Sequence, residues 1–475
     1  MTTTKRLPFS TKLAYGFGAV AFGVKNNGFD YFLLLFYSQV MGVDAPLVGL
    51  ALLIALIFDA FSDPIVGYLS DNTHSKWGRR HPWMYASALP VAICYFLLWI
   101  PPEGLTGNAL FPYILVLAIL IRVSITLFEV PSSALSAELT QDYDDRTSLF
   151  SYRYFFGWIG GTLMATFALA VLLAPTEAIP NGLLNKEGYA TYGIVASVII
   201  LISILVTSLG THRQIAHFKP PPPKRAMSLK RIFVEIYETL GDKSFLALFL
   251  TALFGAVAAG LSAGLTFYIS GYFWEFSTDQ ISIQSFSIII SAFVALIIAP
   301  KISKRIGKKR GAIYVGITAF TIAPAPVVLR LLGLMPENGD PMLFPIVWFV
   351  FVVEITLVIS LSILTSSMMA DLVEASEIRT SRRSEGVLFA AVTFARKAVQ
   401  GFGVLAASAV LALVQFPKGV APGQVPDETI FRLGLYFAPI LFIIWMLAIA
   451  SLSLYRIDRS KHEENLRTLA SQKES

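Results

Sequence analysis

Two aspartates four positions apart lie inside an apolar stretch with the sequence FDAFSDP. Asp59, Ser62 and Asp63 are spaced i, i+3 and i+4, so they share one face of a helix. Pro64 has no backbone N–H, which leaves the carbonyl oxygen of Ala60 without its usual intrahelical donor. Two carboxylates, a hydroxyl and a carbonyl suit a hard monovalent cation such as Na⁺. A proton is the alternative occupant, because two close carboxylates resist double ionisation.

Other charged or polar residues also lie in long apolar segments. Placing such side chains inside a membrane costs free energy, so each is a candidate functional residue. Arg122 and Glu129 are seven positions apart and share a helical face, with Thr126 between them. Thr126 considered alone is expected to make an interhelical hydrogen bond. Arg153 opens a later apolar segment, where contact with a solute and extension towards lipid headgroups are both open.

Lys397 lies deep in an apolar segment near the C-terminal end of the chain. A buried lysine needs a carboxylate partner or loses its proton. Asp59 and Asp63 are the expected partners. Glu354 also lies in a long apolar run, and the sequence assigns no role to it or to Arg122.

A polar patch interrupts the first apolar segment. It either lines a cavity or joins neighbouring helices through hydrogen bonds. It consists of Lys25, Asn26, Asn27 and Asp30.

The composition requires membrane-spanning helices to position these residues. Of 475 residues, 55% are hydrophobic and 14% charged, whereas soluble domains have about 25% charged residues. Twelve spans of about 20 residues would use about 240 positions. We predict an all-α polytopic membrane protein with spans near 13–40, 46–71, 83–101, 109–136, 149–174, 190–209, 245–273, 282–300, 312–333, 343–369, 386–415 and 430–455.

The placement of Lys and Arg predicts the orientation. With the N-terminus in the cytoplasm, most of the 37 Lys and Arg residues fall on the cytoplasmic side. The opposite side holds only Lys186, Arg330, Lys418 and Arg432. This asymmetry explains the net charge of +6 without nucleic acid. It predicts an integral membrane protein with both termini cytoplasmic, and the membrane that we expect is a bacterial inner (plasma) membrane.

Two motifs recur about half a chain apart. The sequence WGRR at 77–80 is echoed by IGKK at 306–309, and Glu138 at the end of the fourth helix is echoed by Asp371 at the end of the tenth. These echoes predict two pseudo-symmetric six-helix bundles, as in the major facilitator fold. We place the bundles at 1–210 and 244–457, with a proline-containing cytoplasmic linker at 211–243 and a cytoplasmic tail at 458–475.

The charges in these echoes are candidates for a cytoplasmic gate. Arg79 and Arg80, with Lys308 and Lys309, could pair with Glu138 and Asp371 and hold the two bundles together. The alternative is that they are solvated helix ends that only determine topology.

Enzyme and pump motifs are absent from the sequence. There is no HExxH, no glycine-rich loop ending in Gly-Lys-Ser/Thr, and no Cys/His cluster. We therefore expect neither an enzyme nor a resident cofactor.

Four motifs together resemble the glycoside–pentoside–hexuronide:cation symporters. They are YGFG at 15–18, the acidic motif at 59–64 with KWGR at 76–79, and Ala-Asp at 370–371 followed by Lys397. The resemblance runs from about residue 8 to residue 457. It implies a secondary symporter that couples a small organic solute, a glycoside or related sugar, to Na⁺ or H⁺.

The resemblance also implies roles for individual residues. Asp59, Ser62 and Asp63 would bind the cation, with Asp59 and Asp63 as Na⁺ ligands and Thr126 completing the site. Lys397 would couple ion binding to transport. Glu129 and Arg153 would contact the solute.

Two positions depart from the family's pattern. A first-helix Asp and a fourth-helix Trp that hold sugar in the family fall here on Gly23 and Ser133. The substrate contacts could instead come from the Lys25, Asn26, Asn27 and Asp30 patch.

The cation motif also resembles that of animal Na⁺-coupled lysolipid symporters, so an amphiphile is the alternative substrate. A non-transporting membrane sensor is the alternative from another class. The expected partners are a small-molecule substrate and the lipid bilayer, without nucleic acid, and the protein is expected to be a monomer.

Overall fold

The computed structural model describes the backbone of residues 7–140, 143–177, 179–218, 243–380 and 385–457. Within these ranges it describes the side chains of all residues except 137, 143–147, 217, 370 and 373–398. Most of the predicted linker, the predicted tail and the side chain of Lys397 therefore lie outside the described residues. The described residues contain helices and loops but no strand.

Six helical segments form the N-terminal half. Helix 1 covers residues 9–40, with π-helical turns at Gly28–Phe32 and Phe36–Val40 between its α-helical parts Phe9–Phe17, Ala19–Asn27 and Leu33–Leu35. The others are helix 2 (Ala45–Asp71), helix 3 (His81–Trp99), helix 4 (Phe111–Leu139), helix 5 (Tyr143–Phe167, continued by Ala168–Leu172) and helix 6 (Lys186–His212).

Six more form the C-terminal half. They are helix 7 (Lys243–Tyr268, continued by Ile269–Phe273), helix 8 (Thr278–Ile306), helix 9 (Lys308–Ile322 and Ala325–Leu331), helix 10 (Leu343–Thr380), helix 11 (Glu385–Leu413) and helix 12 (Asp427–Leu452). The predicted all-α fold is confirmed. Ten spans within the described residues are long and apolar enough to cross a membrane.

The repeated loop motifs each place a glycine at a positive φ angle. Gly78 and Gly307 have φ angles of 71° and 83°, a region that glycine enters without steric cost. In the second half the turn is tight, because helix 8 ends at Ile306 and helix 9 begins at Lys308. A side chain at either glycine would strain the turn, so the echo in the sequence has a structural cause.

Glycines bring helices 1 and 5 close together. A Cβ atom added at Gly23 would lie 2.1 Å from the carbonyl oxygen of Gly157, and one added at Gly161 would lie 2.7 Å from the carbonyl oxygen of Gly23. Small residues at such crossings let two helix backbones approach. Position 23 therefore has no room for a larger side chain, such as the aspartate of the symporters that the sequence resembles.

The two halves meet at the end of the bundle where helix 2 begins, which we call the Asp44 face; the opposite end is the Arg79 face. The Lys418 ammonium group contacts the Asp44 carboxylate and donates a 3.1 Å hydrogen bond to the Gly42 carbonyl oxygen. The Gly419 N–H donates to Oε1 of Gln39 at 3.2 Å. The structure is therefore closed by polar contacts at the Asp44 face.

The predicted gate residues pair differently from the expectation. Glu138 Oε1 lies 2.9 Å from Arg79 Nε and 3.0 Å from Arg80 Nε, all in the N-terminal half. Lys308 Nζ lies 2.6 Å from Asp371 Oδ1, both in the C-terminal half. The described ion pairs among these residues therefore organise each half separately. A contact across the halves stays a prediction for a conformation that closes the Arg79 face.

Candidate functional site

The acidic motif of helix 2 turns its polar face towards helix 4. Asp59 is 2% exposed. Ser62 donates a 3.0 Å hydrogen bond to the backbone carbonyl oxygen of Asp59, and Pro64 follows one turn later inside the helix. The spacing read from the sequence is therefore realised on one helical face, where Asp59 is buried and Ser62 and Asp63 are half-buried.

Thr126 of helix 4 lies between the two carboxylates. Its fully buried hydroxyl is 3.0 Å from Asp59 Oδ1 and 3.1 Å from Asp63 Oδ1. Ser62 Oγ lies 3.5 Å from the same hydroxyl. A threonine hydroxyl has one hydrogen to donate, so it can satisfy only one ionised carboxylate at a time. The two acids therefore share this single donor from helix 4.

The donor set favours a monovalent ion or a proton. No group of three or more His, Cys, Asp or Glu side chains among the described residues could hold a metal ion. Two carboxylates with hydroxyl groups are hard oxygen donors and lack the soft or imidazole ligands that zinc and copper select. The four residues assigned to the cation thus lie together in a site that fits Na⁺ or H⁺.

Arg122 of helix 4 contacts the other carboxylate oxygen of Asp59. Its Nη1 atom lies 3.3 Å from Asp59 Oδ2, and the side chain is 5% exposed. Its guanidinium carbon lies 5.0 Å from the centroid of the Phe29 ring. Sequence analysis assigned no role to Arg122. Its i, i+4 spacing to Thr126 was the available signal, because both then face helix 2.

For Lys397 the structure describes the backbone, which lies in helix 11, but not the side chain. Four residues further along, a Cβ atom added at Gly401 would lie 2.8 Å from Leu53 Cδ1 and 3.2 Å from Leu56 Cδ1 of helix 2. Helix 11 thus packs directly on helix 2. On helix 11 this contact lies about one turn from Lys397, and on helix 2 it lies about one turn from Asp59. The predicted ion pair stays a prediction.

The residues of helices 4 and 5 that are predicted to bind the solute lie close together. Arg153 Nη1 donates to Ser132 Oγ at 3.0 Å, and Nη2 donates to the Glu129 carbonyl oxygen at 3.3 Å. The guanidinium also lies over the Phe22 ring at 5.0 Å. Arg153 is therefore held against helices 4 and 1 rather than extended towards headgroups.

The polar residues of helix 1 do not form one surface. Lys25 is buried, Asn26 is exposed, and Asn27 and Asp30 are half-buried. Asn27 packs beside Gly161 of helix 5. Asp30 accepts a 3.5 Å hydrogen bond from Gln400 Nε2 of helix 11. Of the four, Asp30 contacts the other half, from within a π-helical turn, a feature common at functional sites.

A family model described as MFS/sugar transport protein matches residues 14–459. An uncharacterised symporter of Synechocystis is 36% identical over 44% of this chain and 38% of its own length. An isoprimeverose transporter of Lactiplantibacillus pentosus is 24% identical over 95% of this chain and 90% of its own. A sodium-dependent lysophosphatidylcholine symporter of Mus musculus is 25% identical over 99% of this chain and 90% of its own.

Among solved structures, a D-xylose–proton symporter superposes with a TM-score of 0.60. The superposition covers 91% of this chain and 97% of that one at 16% sequence identity. This likeness supports the fold.

Proposed function

The chain belongs to the MFS/sugar transport protein family, and from that premise we propose that it is a cation-coupled symporter for a small organic solute. The family places it among transporters rather than enzymes. The observation that carries the coupling proposal is the position of the Thr126 hydroxyl, within 3.1 Å of both Asp59 and Asp63. Two acids held on one hydroxyl, Asp59 buried and Asp63 half-buried, offer the hard oxygen ligands that a small monovalent cation takes.

The cation would act by changing the charge that the protein must enclose. Closing a cavity around carboxylates is costly unless their charge is compensated. A coupling ion at Asp59 and Asp63 supplies the compensating charge, and Lys397 would supply it when the ion is absent. The two six-helix halves would then move relative to each other, so that the binding site opens alternately at the Asp44 face and at the Arg79 face.

The solute would bind beside the cation site, between the halves. Arg153 and Glu129 on helices 5 and 4 and Asp30 on helix 1 are the proposed contacts. A glycoside or related sugar is the first candidate, in line with the isoprimeverose transporter among the relatives. Sugar hydroxyls need such paired acceptors and donors.

A lysolipid or similar amphiphile is the second candidate. Gly23 has no room for a side chain, so the sugar-holding acid of the family is excluded from that position. A relative that aligns with 99% of the chain is named for a lysophosphatidylcholine.

We also propose that the Arg79 face is cytoplasmic. The excess of Lys and Arg lies in the loops at that face. Both termini would then be cytoplasmic, in a bacterial inner membrane, with the protein acting as a monomer.

Reconstituted protein tests the function directly. Proteoliposomes would be given an inward Na⁺ gradient, an inward proton gradient or neither, with a panel of labelled glycosides, uronates and lysolipids. We expect accumulation of one solute class only when a cation gradient is present. Gradient-independent equilibration of every solute, or ligand binding without flux, would contradict symport and favour a uniporter or a sensor. An Asp340→Asn variant, changed in an exposed loop, provides the matched control.

A further inference from the structure

Arg122 brings a permanent positive charge to the cation site. A guanidinium keeps its proton in proteins, so this charge persists whatever the site holds. The contact from Nη1 to Asp59 is 3.3 Å long. The Nε atom is buried and has no hydrogen-bond partner within the part of the chain that the structure describes. The guanidinium is therefore near Asp59 without being fully engaged by it.

A second acid, Asp30 of helix 1, lies within electrostatic reach of the same guanidinium. Asp30 lies on helix 1 next to Phe29, whose ring lies under Arg122. The charges of Arg122 and Lys25 both act on the Asp30 carboxyl group. Asp30 also contacts Gln400 of helix 11, in the other half. Arg122 thus contacts an acid of the cation site and acts electrostatically on an acid that touches the opposite half.

We propose that Arg122 is a resident counter-ion that pairs with Asp59 in the ion-free state and moves towards Asp30 when the coupling cation binds. This inference rests on the proposed function, because it concerns the same cation site. Arg122 is then a positioning residue for coupling. It competes with the ion for Asp59, and its movement links ion binding at the site to helix 1.

Two physical effects support such a movement. A cation at Asp59 and a guanidinium a few ångströms away repel each other, and the low dielectric of a buried site strengthens the repulsion. The Phe29 ring offers a cation–π contact to the guanidinium, which lowers the cost of leaving Asp59. The contact between Asp30 and Gln400 lies at the end of this path, so the movement alters a contact between the two halves.

The first test is Arg122→Gln in purified full-length protein, with Na⁺ and protons as the probes. Ion binding would be followed by Na⁺-dependent and pH-dependent thermal shifts. Removing a competing charge should tighten cation binding by about tenfold, equivalent to about 1.4 kcal/mol. Arg122→Lys keeps the charge but not the planar fork and should give an intermediate value. Arg330→Gln, which removes another arginine stacked on aromatic rings, should leave ion binding unchanged.

The second test is Asp30→Asn, which should change the cation affinity in the direction opposite to Arg122→Gln. Without Asp30, Arg122 stays with Asp59, and cation binding weakens. The weakening should be smaller when Asp30→Asn is made in the Arg122→Gln background, since a pair that acts together gives non-additive effects. Additive changes would overturn the proposed exchange of partners.

Transport provides an independent readout. Arg122→Gln should slow net cation-driven uptake, because the ion-free carrier has lost a compensating charge for its return. Solute exchange between loaded carriers should persist. If Arg122→Gln does not fold, Arg122→Gln with Asp59→Asn should restore folding, since that pair of changes removes both charges.

The outcomes separate this inference from the proposed function. Wild-type protein without cation-dependent thermal shift or uptake would contradict the function itself. Normal cation coupling in the wild type, with unchanged ion affinity and unchanged net uptake in Arg122→Gln, would overturn only the role of Arg122.

Discussion

The Thr126 hydroxyl lies 3.0 Å from Oδ1 of Asp59, so helix 4 contributes directly to a polar site that begins on helix 2. The same hydroxyl is 3.1 Å from Oδ1 of Asp63. One side chain from a neighbouring helix thereby fixes the separation of two acids one turn apart. Movement of helix 4 relative to helix 2 would change the oxygen positions available to a cation.

Thr126→Val should weaken cation binding while preserving the fold. Valine has nearly the shape of threonine but lacks the oxygen, and losing one hydrogen-bonding group costs about 1 kcal/mol. We expect about a fivefold weaker response in Na⁺-dependent or pH-dependent thermal shift. Thr126→Ser keeps the oxygen and should behave like the wild type. Equal ion responses in the valine and serine variants would show that Thr126 only joins helices.

Lys397→Ala should abolish Na⁺ dependence. Loss of a positive charge next to the facing acids would let them repel each other and take up protons more readily. Any transport that remains should then be favoured at low pH. The measurement is solute uptake against Na⁺ concentration at two pH values. An unchanged Na⁺ dependence would make Lys397 a structural residue.

Breaking the contact between Asp44 and Lys418 should loosen the Asp44 face. Both side chains are partly exposed, and such ion pairs contribute about 1 kcal/mol or less. Asp44→Asn should therefore speed the labelling of a cysteine at Val43, which lines a cavity at this face, by up to about fivefold. The reporter requires Cys94→Ala. Glu428→Gln, which breaks another exposed pair on helix 12, is the matched control.

The same contact should be insensitive to mild acidification. Hydrogen bonds from Lys418 and Asn108 lower the pKa of Asp44 from its ordinary value of 3.8. A lowered pKa means that the stabilisation is complete above this ordinary value and is lost as the pH falls through the lowered one. Labelling at Val43 should therefore stay constant between about pH 7 and pH 5. A rise over that range would assign closure to a different group.

Neutralising the acids of the Arg79 face tests the proposed gate. Glu138 and Asp371 each pair within their own half in this structure. If they join the halves when the Arg79 face closes, Glu138→Gln with Asp371→Asn destabilises only that closed conformation. A cysteine at Ser133, in a Cys94→Ala background, should then be labelled faster from the cytoplasm. Unchanged labelling would leave these charges as organisers of each half.

Much of the fold was predictable because membrane helices are encoded by length and composition. The echo between Gly78 and Gly307 has a local cause, since both glycines have positive φ angles. The π-helical turn around Asp30 was not predicted. Such turns insert one residue into an otherwise regular helix, and the apolar pattern of helix 1 does not reveal where.

The part of the site that lies on a single helix was predictable from the sequence. The spacing of Asp59 and Asp63 places both acids on one face of helix 2. The contact between Asp59 and Arg122 depends on the relative height of helices 2 and 4, which spacing along one helix does not fix. The pairing of Glu138 within its own half was missed for a similar reason, because helix-end charges have several partners within reach.

The most direct test of the central claim is cation-driven accumulation in proteoliposomes containing Asp59→Asn, Asp63→Asn or both. The amide replaces the carboxylate with nearly the same shape and removes the charge that balances the ion. The solute is the one that the wild type accumulates from the panel, and Asp340→Asn is the control. We predict that accumulation is abolished in all three variants, while exchange down the solute's own gradient persists. Normal accumulation with both acids neutralised would contradict the assignment of the cation site.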